Sequence, residues 1–598
     1  MFKNILMNGD TVEQNSPAGK RTACQGQQIS DRELLKLALR ELDRAHEEIA
    51  RLVALDKRNK ECFTAWNRDA PAGELPQMVE ASSRYAGIAA LTVPLEEKEY
   101  DRGYVWARAL NDRYSENPGF LRAYRDLQSK RGEPSAALTL VHELAAAERK
   151  IDHIGVRRLE GRIRELSGWI PRIPGRAVEI RDAIPGKVLH LVKESRPYLS
   201  NGFTSRSHHN FVAEKLAGLE PIVVTEPGFP TESSAISTTD EVDGIQHVRL
   251  CIPGLRYETL PTDKYLNYFA QSAYMEVCRH KPSVIHVSSG RRGYETALVG
   301  LALKNKTGLP LVYEVRSFFE ANWTADIERE TRGEIFDQRM KVEEMCMRAA
   351  DRVLTIGESM KKELVSRGIP EAKIGIIPNA VDLASFTAHK KDPELTARYS
   401  LDGAITFGYV SNMDHYRESQ ETLIETCRVL NERGETRFRC VLVGDGTRRQ
   451  LLEEYAKKLG VQDQVIFTGG VDHAEVPKYY SLIDFFVVPR VPERAATYVT
   501  PLKPFEAMAM GKPVIVSDLP ALNEIVDAPH RGETFPSGNP KALADLLVDL
   551  AENPERVQTM VTNAIEWLKT ERTWALNGKR YVEEFSLVLG TGDDKDAS

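Results

Sequence analysis

The chain has 598 residues, too many for one hydrophobic core, and this length predicts about three domains. Hydrophobic residues make up 42% and charged residues 28%, while the net charge of −7 argues against a general nucleic-acid binder. No apolar run approaches the roughly 18 residues of a membrane span, and the N-terminal apolar run is too short for a signal peptide. The seven cysteines form no Cys-x-x-Cys pair, so neither structural zinc nor a disulfide framework is expected, and the cytoplasm is the expected compartment.

The N-terminal region divides into a polar segment and a helical segment. Residues 1–30 lack periodicity and are predicted to be disordered. Residues 31–75 are predicted to hold a helix over 31–54 and a linker. The helix carries small and apolar residues at heptad spacing: Leu35, Ala38, Leu42, Ala45, Ile49 and Leu52. It therefore forms either a short coiled coil or a helix that packs on its own chain.

Residues 76–185 are predicted to be helical, with helices over Tyr100–Arg113, Pro118–Arg131 and Pro134–Lys150. They weakly resemble tetratricopeptide helix pairs and are expected to bind a partner, to self-associate or to hold a substrate. Residues 156–181 are rich in arginine: Arg157, Arg158, Arg162, Arg164, Arg172, Arg176 and Arg181. This segment reads either as a solvated linker helix or as a basic amphipathic helix on an anionic membrane surface.

From Lys187 onward, short apolar strands alternate with helical segments. The first series contains Val188–Val192, Pro221–Val224, Val284–Val287, Leu311–Val315 and Arg352–Ile356, and Ile376–Asn379 closes it. The second contains Ile405–Val410, Arg439–Gly446, Val465–Gly469, Phe485–Val488 and Val514–Val516. This pattern predicts an α/β protein with two tandem Rossmann-like domains, over 186–384 and 402–570, and a ligand cleft between them. Residues 571–598 are predicted to be a C-terminal helix and tail.

The most informative stretch is Thr500–Asp518, which predicts a helix start, a short helix and a buried strand. Thr500 is expected to cap the helix, with Pro501 at the first helical position. Lys503 lies in the first turn, where a cation and free backbone N–H groups can hold a phosphate. Glu506, one turn further on, could hold a neighbouring hydroxyl. Phosphate beside hydroxyls is the chemistry of a nucleotide sugar.

Several further motifs occur in order along the two predicted sheet domains. They are Ile376–Asp382, Val443–Gly446, Phe467–Gly469, Ile483–Pro489 and Pro504–Ile515. With them, the run from Lys187 to about Phe585 resembles the retaining GT-B glycosyltransferases of family 4. The tracts Val312–Arg316 and Thr500–Pro504 resemble variants from bacterial polysaccharide and exopolysaccharide assembly.

The resemblance implies transfer of a sugar from a nucleotide diphosphate to an acceptor hydroxyl, with the anomeric configuration kept. The implied acceptor is a glycan, a glycolipid or a protein-linked glycan. Stabilising the departing diphosphate is the central electrostatic task. The resemblance implies that this is done without a metal or other cofactor, and the two predicted sheet domains contain no Asp-x-Asp. The donor is a co-substrate.

The resemblance also assigns residues to the donor site. The diphosphate is expected to meet Thr500 and Lys503, and Glu506 matches the second glutamate of the family's Glu-x7-Glu pair. Asn412 and Arg417, in one loop, are further donor-binding candidates, and Arg417 matches a diphosphate-binding position.

On the acceptor-side domain, the resemblance places the Gly202 loop close to the donor. His286 and Arg316, together with Glu506 of the donor side, are the catalytic candidates. The alternative for Arg316 is an ion pair with Glu320.

Three positions depart from the family pattern. Tyr498 stands where the first glutamate of the pair is expected. Ser288 replaces the second histidine of a His-x-His, which leaves only His286, and the donor loop reads Arg417-Glu418-Ser419. Two alternatives therefore stay open: a degenerate GT-B scaffold that binds without turnover, and another GT-B enzyme such as a sugar-nucleotide epimerase or a phosphorylase.

Overall fold

In a computed structural model, the described residues are 86–149, 152–230, 239–250, 256–289, 293–324, 326, 329–472 and 474–590. Arg44, Glu47, Ala50, Arg51 and Ala54 are also described, and all five are helical and exposed. The heptad positions behind the coiled-coil prediction lie outside the described residues. The predicted disorder of residues 1–30 and the tail from residue 591 also fall outside them.

The chain forms two compact units, Met1–Tyr114 and Ser115–Ser598. The first contains α1 (Ala86–Glu96) and α2 (Tyr100–Tyr114), which pack against each other. Trp106 of α2 is buried.

The second unit begins with three helices: α3 (Pro118–Arg131), α4 (Pro134–Glu148) and α5 (His153–Leu166). Asn117 caps α3 through its side chain, and Gly132, with φ of 80°, ends the helix in the left-handed conformation. The arginine-rich segment is helical only as far as Leu166. Beyond it, Arg172, Arg176 and Arg181 lie exposed in a non-helical segment.

The first sheet has eight strands in the order β3-β4-β2-β1-β5-β6-β7-β8. All neighbours are parallel except β3 and β4, a hairpin at the edge that the sequence pattern did not predict. The strands are β1 (Ile184–Val192), β2 (Glu220–Thr225), β3 (Thr239–Val242), β4 (Ile245–Arg249), β5 (Pro282–Ser288), β6 (Leu311–Glu314), β7 (Arg352–Thr355) and β8 (Ile374–Ile376).

The second sheet has six parallel strands in the order β11-β10-β9-β12-β13-β14. This is the Rossmann strand order, with its reversal between β9 and β12. The strands are β9 (Ile405–Val410), β10 (Phe438–Val443), β11 (Val465–Phe467), β12 (Phe485–Val488), β13 (Val514–Ser517) and β14 (Glu533–Phe535). The prediction of two tandem Rossmann-like domains is confirmed.

Helices cover the two sheets. Those of the first domain are α6 (Gly202–Leu216), α7 (Thr262–His280), α8 (Glu295–Thr307), α9 (Glu334–Ala349) and α10 (Glu358–Ser366). Those that follow are α11 (Pro393–Arg398), α12 (Gln420–Glu432), α13 (Arg449–Lys458), α14 (Val476–Ser481), α15 (Arg494–Tyr498), α16 (Lys503–Ala509), α17 (Pro520–Val526), α18 (Pro540–Glu552), α19 (Pro554–Glu571) and α20 (Trp574–Leu589). None of the described helices has the length and apolar character to cross a membrane.

The two faces of the first sheet are covered by different parts of the chain. Leu189 and Leu191 of β1 belong to a core with α7, α8, α9 and α10. Val188 faces the other way and packs with Tyr581 and Phe585 of α20. The helix α20 therefore returns from the second sheet domain to close the core of the first.

Candidate active site

The candidate site lies at the carboxyl ends of β9 and β12, where the strand order of the second sheet reverses. Ligands of doubly wound folds bind at this point, because the loops leaving the two strands diverge there. Three segments meet at it: the loop after β9 with Arg417 and Glu418, the residue Arg490 after β12, and the start of α16.

Lys503 is the first residue of α16 and is half-buried at this point. Its ammonium lies 5.5 Å from the centre of the Tyr409 ring, and no described carboxylate is within ion-pair distance of it. Burial lowers the pKa of Lys503, and the nearby positive charge of Arg490 adds to this effect, while Glu418 opposes it. The site thus presents a cation whose charge the protein itself only partly balances.

The predicted cap at Thr500 is wrong. The helix starts at Lys503, after Leu502 and without a side-chain cap, so Pro501 precedes it and Pro504 occupies its first turn. Thr500 is bound from the other domain instead, because Asn379 Nδ2 donates to its carbonyl oxygen at 2.7 Å and approaches its Oγ1 at 3.3 Å. A proline on each side of Lys503 and this contact across the cleft hold the helix start in place.

Glu506 lies one turn after Lys503, as the sequence predicts. Tyr480 donates its hydroxyl proton to Glu506 Oε2 at 2.7 Å. Burial raises the pKa of Tyr480 well above its usual value, and the Glu506 charge raises it further, so the phenol stays a donor. This bond fixes the orientation of the carboxylate.

Glu418 and Arg490 form a buried pair that the sequence did not predict. Arg490 Nη2 donates to Glu418 Oε1 at 2.8 Å and its Nε to Oε2 at 3.2 Å, while the Tyr409 hydroxyl also donates to this carboxylate. Burial alone would raise the pKa of Glu418, but the charges of Arg490 and Lys503 lower it to about 2. The carboxylate is therefore ionised at neutral pH. Its single negative charge balances only one of the three positive charges at the site, which are those of Arg417, Arg490 and Lys503.

Arg417 stands beside Lys503 but faces carboxylates. Its guanidinium nitrogens lie 3.8 Å from Glu418 and 3.8 Å from Glu493.

Glu330 of the first domain reaches the same loop and accepts a hydrogen bond from the Tyr416 hydroxyl at 3.4 Å. Asn412 is exposed at the start of this loop and accepts a bond from the Asp414 N–H. Sequence reasoning gave no signal for Glu330, because its place depends on the first domain facing the second.

Gly202 starts α6 on the first domain and faces the start of α16. A Cβ at this position would lie 3.8 Å from Cδ1 of Leu502, the residue before Lys503. Asn201 caps α6 by accepting from the N–H groups of Phe203 and Thr204 at 2.9 Å. The structure therefore brings Gly202, Thr500 and Lys503 together across the cleft.

His286 and Arg316 lie behind the cleft in a buried network centred on Glu314. Arg316 Nη2 donates to Glu314 at 2.8 Å, Arg206 Nη2 at 2.6 Å and the Tyr581 hydroxyl at 3.0 Å. The expected alternative pairing of Arg316 with Glu320 is wrong, since Arg316 pairs with Glu314.

His286 Nε2 is 3.4 Å from Glu314 Oε2, and its Nδ1 is 3.0 Å from that of His190. Burial lowers the pKa of His286 to about 4. The network reaches the cleft through Arg206, which donates to Asn379 Oδ1 at 2.9 Å. Asn379 in turn holds Thr500.

Tyr498, at the position where the resemblance predicts a sugar-binding glutamate, turns its ring against Phe318 of the first domain. The ring centres are 5.7 Å apart in an edge-to-face arrangement. Among the described residues, no group of three or more His, Cys, Asp or Glu side chains could hold a metal ion.

Two family models match the two sheet domains. Residues 213–385 match a family described as Glycosyltransferase Family 4, and residues 404–553 match one described as Glycosyl transferases group 1. The two matched ranges together indicate a glycosyltransferase, and the paired Rossmann-like sheets have the GT-B fold.

Individual relatives are distant. Alpha-monoglucosyldiacylglycerol synthase of Streptococcus pneumoniae is 28% identical over 229 residues, which are 37% of this chain and 49% of the relative. The chain therefore spans about half the length of that relative. Sucrose-phosphate synthase from Thermosynechococcus elongatus has a TM-score of 0.54 at 20% identity, covering 68% of this chain and 100% of that one. Anabaena HepE, solved in complex with UDP-glucose, has a TM-score of 0.51 at 17% identity, covering 67% and 99%.

Proposed function

We propose that this protein is a retaining glycosyltransferase that moves a sugar from a nucleotide-diphosphate donor to an acceptor hydroxyl. One observation carries the proposal: Lys503, with no described carboxylate in ion-pair distance, stands at the strand-order reversal while the start of α6 faces it across the cleft. A cation at this point can stabilise the negative charge that develops on a departing diphosphate. Glu506, oriented by Tyr480, can accept hydrogen bonds from donor hydroxyls.

The roles of the other candidates follow from where they lie. Arg417 can contact the diphosphate when phosphate replaces its present carboxylate neighbours. His286 and Arg316 are nearly fully buried, so we assign them a positioning role through Arg206, Asn379 and Thr500 rather than contact with the sugar.

The donor is a nucleotide sugar, in keeping with the UDP-glucose held by HepE, and the reaction needs no metal or other cofactor. We propose a glycan, a glycolipid or a protein-linked glycan as the acceptor, in polysaccharide assembly. The expected place of action is the cytoplasm, at the inner face of the membrane if the exposed arginines of residues 157–181 contact anionic lipid.

The first test of the proposal is a screen for donors. The full chain is incubated with a panel of nucleotide sugars, and release of nucleoside diphosphate is measured. Lys503→Ala should lower turnover at least about tenfold, the effect of losing about 1.4 kcal/mol of transition-state stabilisation. Lys541→Ala, which removes an exposed lysine of the same domain, should leave turnover unchanged. Equal rates in both variants would show that Lys503 is not at the site.

Glu506 gives a second, independent measurement. Glu506→Ala should also lower turnover about tenfold or more, because the carboxylate acts directly on donor hydroxyls. Tyr480→Phe, which removes the hydrogen bond from Tyr480 but keeps the carboxylate of Glu506, should have a smaller effect. A larger loss in Tyr480→Phe than in Glu506→Ala would contradict the assignment.

A second candidate function is a nucleotide-sugar-binding scaffold without turnover. The packing of Tyr498 against Phe318 favours it, because a residue expected to bind sugar is engaged elsewhere. The same donor panel separates the two candidates: a scaffold binds a nucleotide sugar but releases no nucleoside diphosphate. Another GT-B enzyme would convert the donor without transferring its sugar to an acceptor.

A further inference from the structure

A cluster of two arginines and two glutamates joins the two sheet domains beside the candidate site. Arg494, in α15 of the second domain, donates from Nε to Glu320 Oε1 at 2.6 Å and from Nη2 to Glu363 Oε1 at 2.6 Å. Both carboxylates belong to the first domain. Arg367, at the end of α10, contacts both of them as well. We call Glu320, Glu363, Arg367 and Arg494 the interdomain clamp.

The clamp is buried and balanced in charge. The side chain of Glu320 is 2% exposed and that of Arg494 is 17% exposed. Both guanidinium groups lie over the Phe318 ring, at 4.7 Å for Arg367 and 4.9 Å for Arg494. Planar guanidinium groups suit such stacking, which lysine cannot reproduce. Two positive and two negative charges in the clamp leave no net charge. Removing one of the four therefore leaves a buried charge without compensation.

The clamp is the first of three points at which the first domain holds the segment that leads to Lys503. Four residues after Arg494, the carbonyl oxygen of Tyr498 accepts a bond from Ser359 Oγ at 3.1 Å. The Tyr498 ring packs against Phe318, so the residue that departs from the family pattern is part of the contact. Two residues later, Asn379 holds Thr500.

We propose that Arg494 is a positioning residue, through which the first domain fixes α15 and the following segment so that Lys503 is presented to the donor. This inference rests on the proposed function. The clamp also explains Tyr498, because that position stabilises the contact between the domains instead of binding the sugar. The expected consequence is that breaking the clamp weakens donor binding more than it slows the chemical step.

The test compares variants in the full chain, with UDP and GDP as binding probes and the best donor of the panel for kinetics. Arg494→Met should raise Kd of the preferred probe and KM of the donor about tenfold, with kcat changed less than threefold. Arg494→Lys should recover part of the loss, since it restores the charge without the planar fork. The matched control is Arg531→Met, which removes a half-buried arginine that stacks 4.3 Å from the Trp567 ring and pairs with Asp527 within the second domain. It should leave Kd and KM unchanged.

Glu320→Gln separates positioning from simple attraction. If Arg494 only attracted the anionic donor, removing the Glu320 charge would tighten binding. If the clamp positions the segment, Glu320→Gln weakens binding in the same direction as Arg494→Met. Tighter binding in Glu320→Gln, or unchanged Kd and KM in Arg494→Met, would overturn the proposal.

Hydrogen exchange tests the clamp independently of any enzymatic turnover. Arg494→Met and the milder Ser359→Ala should speed exchange in α15 and α10, while strands β9 to β13 keep their protection. Unchanged exchange in both variants would contradict the clamp itself. A native chain that binds no nucleotide and turns over no donor would instead contradict the proposed function, and the exchange measurement would still decide the clamp.

Discussion

Glu418 and Glu343 show how neighbours decide the charge of a buried carboxyl group. Both are nearly inaccessible to solvent. At Glu418 the charges of Arg490 and Lys503 overcome the effect of burial and lower the pKa to about 2. At Glu343 burial prevails and raises the pKa to about 7, although the Tyr313 hydroxyl donates to it at 2.6 Å. Desolvation favours the neutral acid wherever no cation is close enough to balance the charge.

Glu343 makes the stability of the first sheet domain depend on pH. Its folded pKa is raised above the ordinary 4.5, so between about pH 4.5 and 7 the folded state holds a proton that the unfolded state has lost. The contribution of Glu343 to the free energy of unfolding should therefore fall as the pH rises through this range and level off above it. Glu343→Gln should remove the loss and be more stable than the native chain at pH 8 by on the order of 2 kcal/mol.

The measurement is hydrogen exchange in β6 and α9, which contain Tyr313 and Glu343. The native chain, Glu343→Gln and the neighbouring control Glu344→Gln are compared with one another at pH 5 and again at pH 8, and the gain is slower exchange. The gain should appear only for Glu343→Gln and mainly at pH 8. A gain of the same size at both pH values would mean that the substitution acts through packing and not through ionisation.

At the scale of elements, specific contacts attach α3 and α4 to the first sheet domain. Trp323 lies over Gly132, and its indole Nε1 donates to the Glu330 carbonyl oxygen at 2.9 Å. The Ser135 N–H, at the start of α4, donates to Glu334 Oε2 at 2.9 Å, which places a carboxylate at a helix N-terminus. The helices thus support the segment from which Glu330 reaches the second domain.

Gly132 tests this attachment. It has φ of 80°, and a Cβ there would lie 2.6 Å from the Trp323 ring. Gly434 has the same φ, but a Cβ there would meet nothing within 4 Å, so Gly434→Ala measures the backbone strain alone, about 1 kcal/mol. Gly132→Ala should cost about 1 to 3 kcal/mol more, because the indole must move.

Hydrogen exchange in α3 and α4 is the suitable measurement, because a chain with several domains does not unfold in one step. Faster exchange there in Gly132→Ala, beyond the change that Gly434→Ala causes around its own helix, would support the attachment. Equal effects of the two substitutions would contradict a role for Trp323.

The elements that the sequence predicts well are those whose signal is local. Ile405–Val410 and Phe485–Val488 are short, mostly apolar runs, and both become strands with the predicted bounds. The β3–β4 hairpin was missed because Thr239–Val242 is a polar edge strand. The start of α16 was misplaced because Thr500 can serve as a cap, yet Asn379 binds it from a distant part of the chain.

The same distinction holds for the site. Lys503 and Glu506 were identified from their spacing, and both lie in the first turn of α16. Glu330 and Arg490 were missed because their partners come from other loops, and no local pattern marks such a pair. His286 lies near the end of β5 and Arg316 follows β6, as predicted, but burial against Tyr581, far along the chain, sets them behind the cleft.

At the scale of the whole molecule, α20 completes the core of the first sheet domain, although it follows the second one in the chain. Tyr581 and Phe585 of α20 pack on Val188, Val284 and Val312. Tyr581 also donates to Glu314. The two sheet domains are therefore joined both at the clamp and through α20, which packs on the first domain. The core of the first domain is complete only when α20 has folded onto it.

Phe585→Ala tests this closure. Phe585 is 2% exposed, so its truncation should cost about 3 to 5 kcal/mol, whereas Leu587→Ala, at a residue 59% exposed on the same helix, should cost little. The loss should appear as faster hydrogen exchange in β1 and β5, which lie more than 290 residues earlier in the chain, with β9 and β10 unaffected. If exchange instead rises only within α20, the helix is an appendage that the first domain does not need.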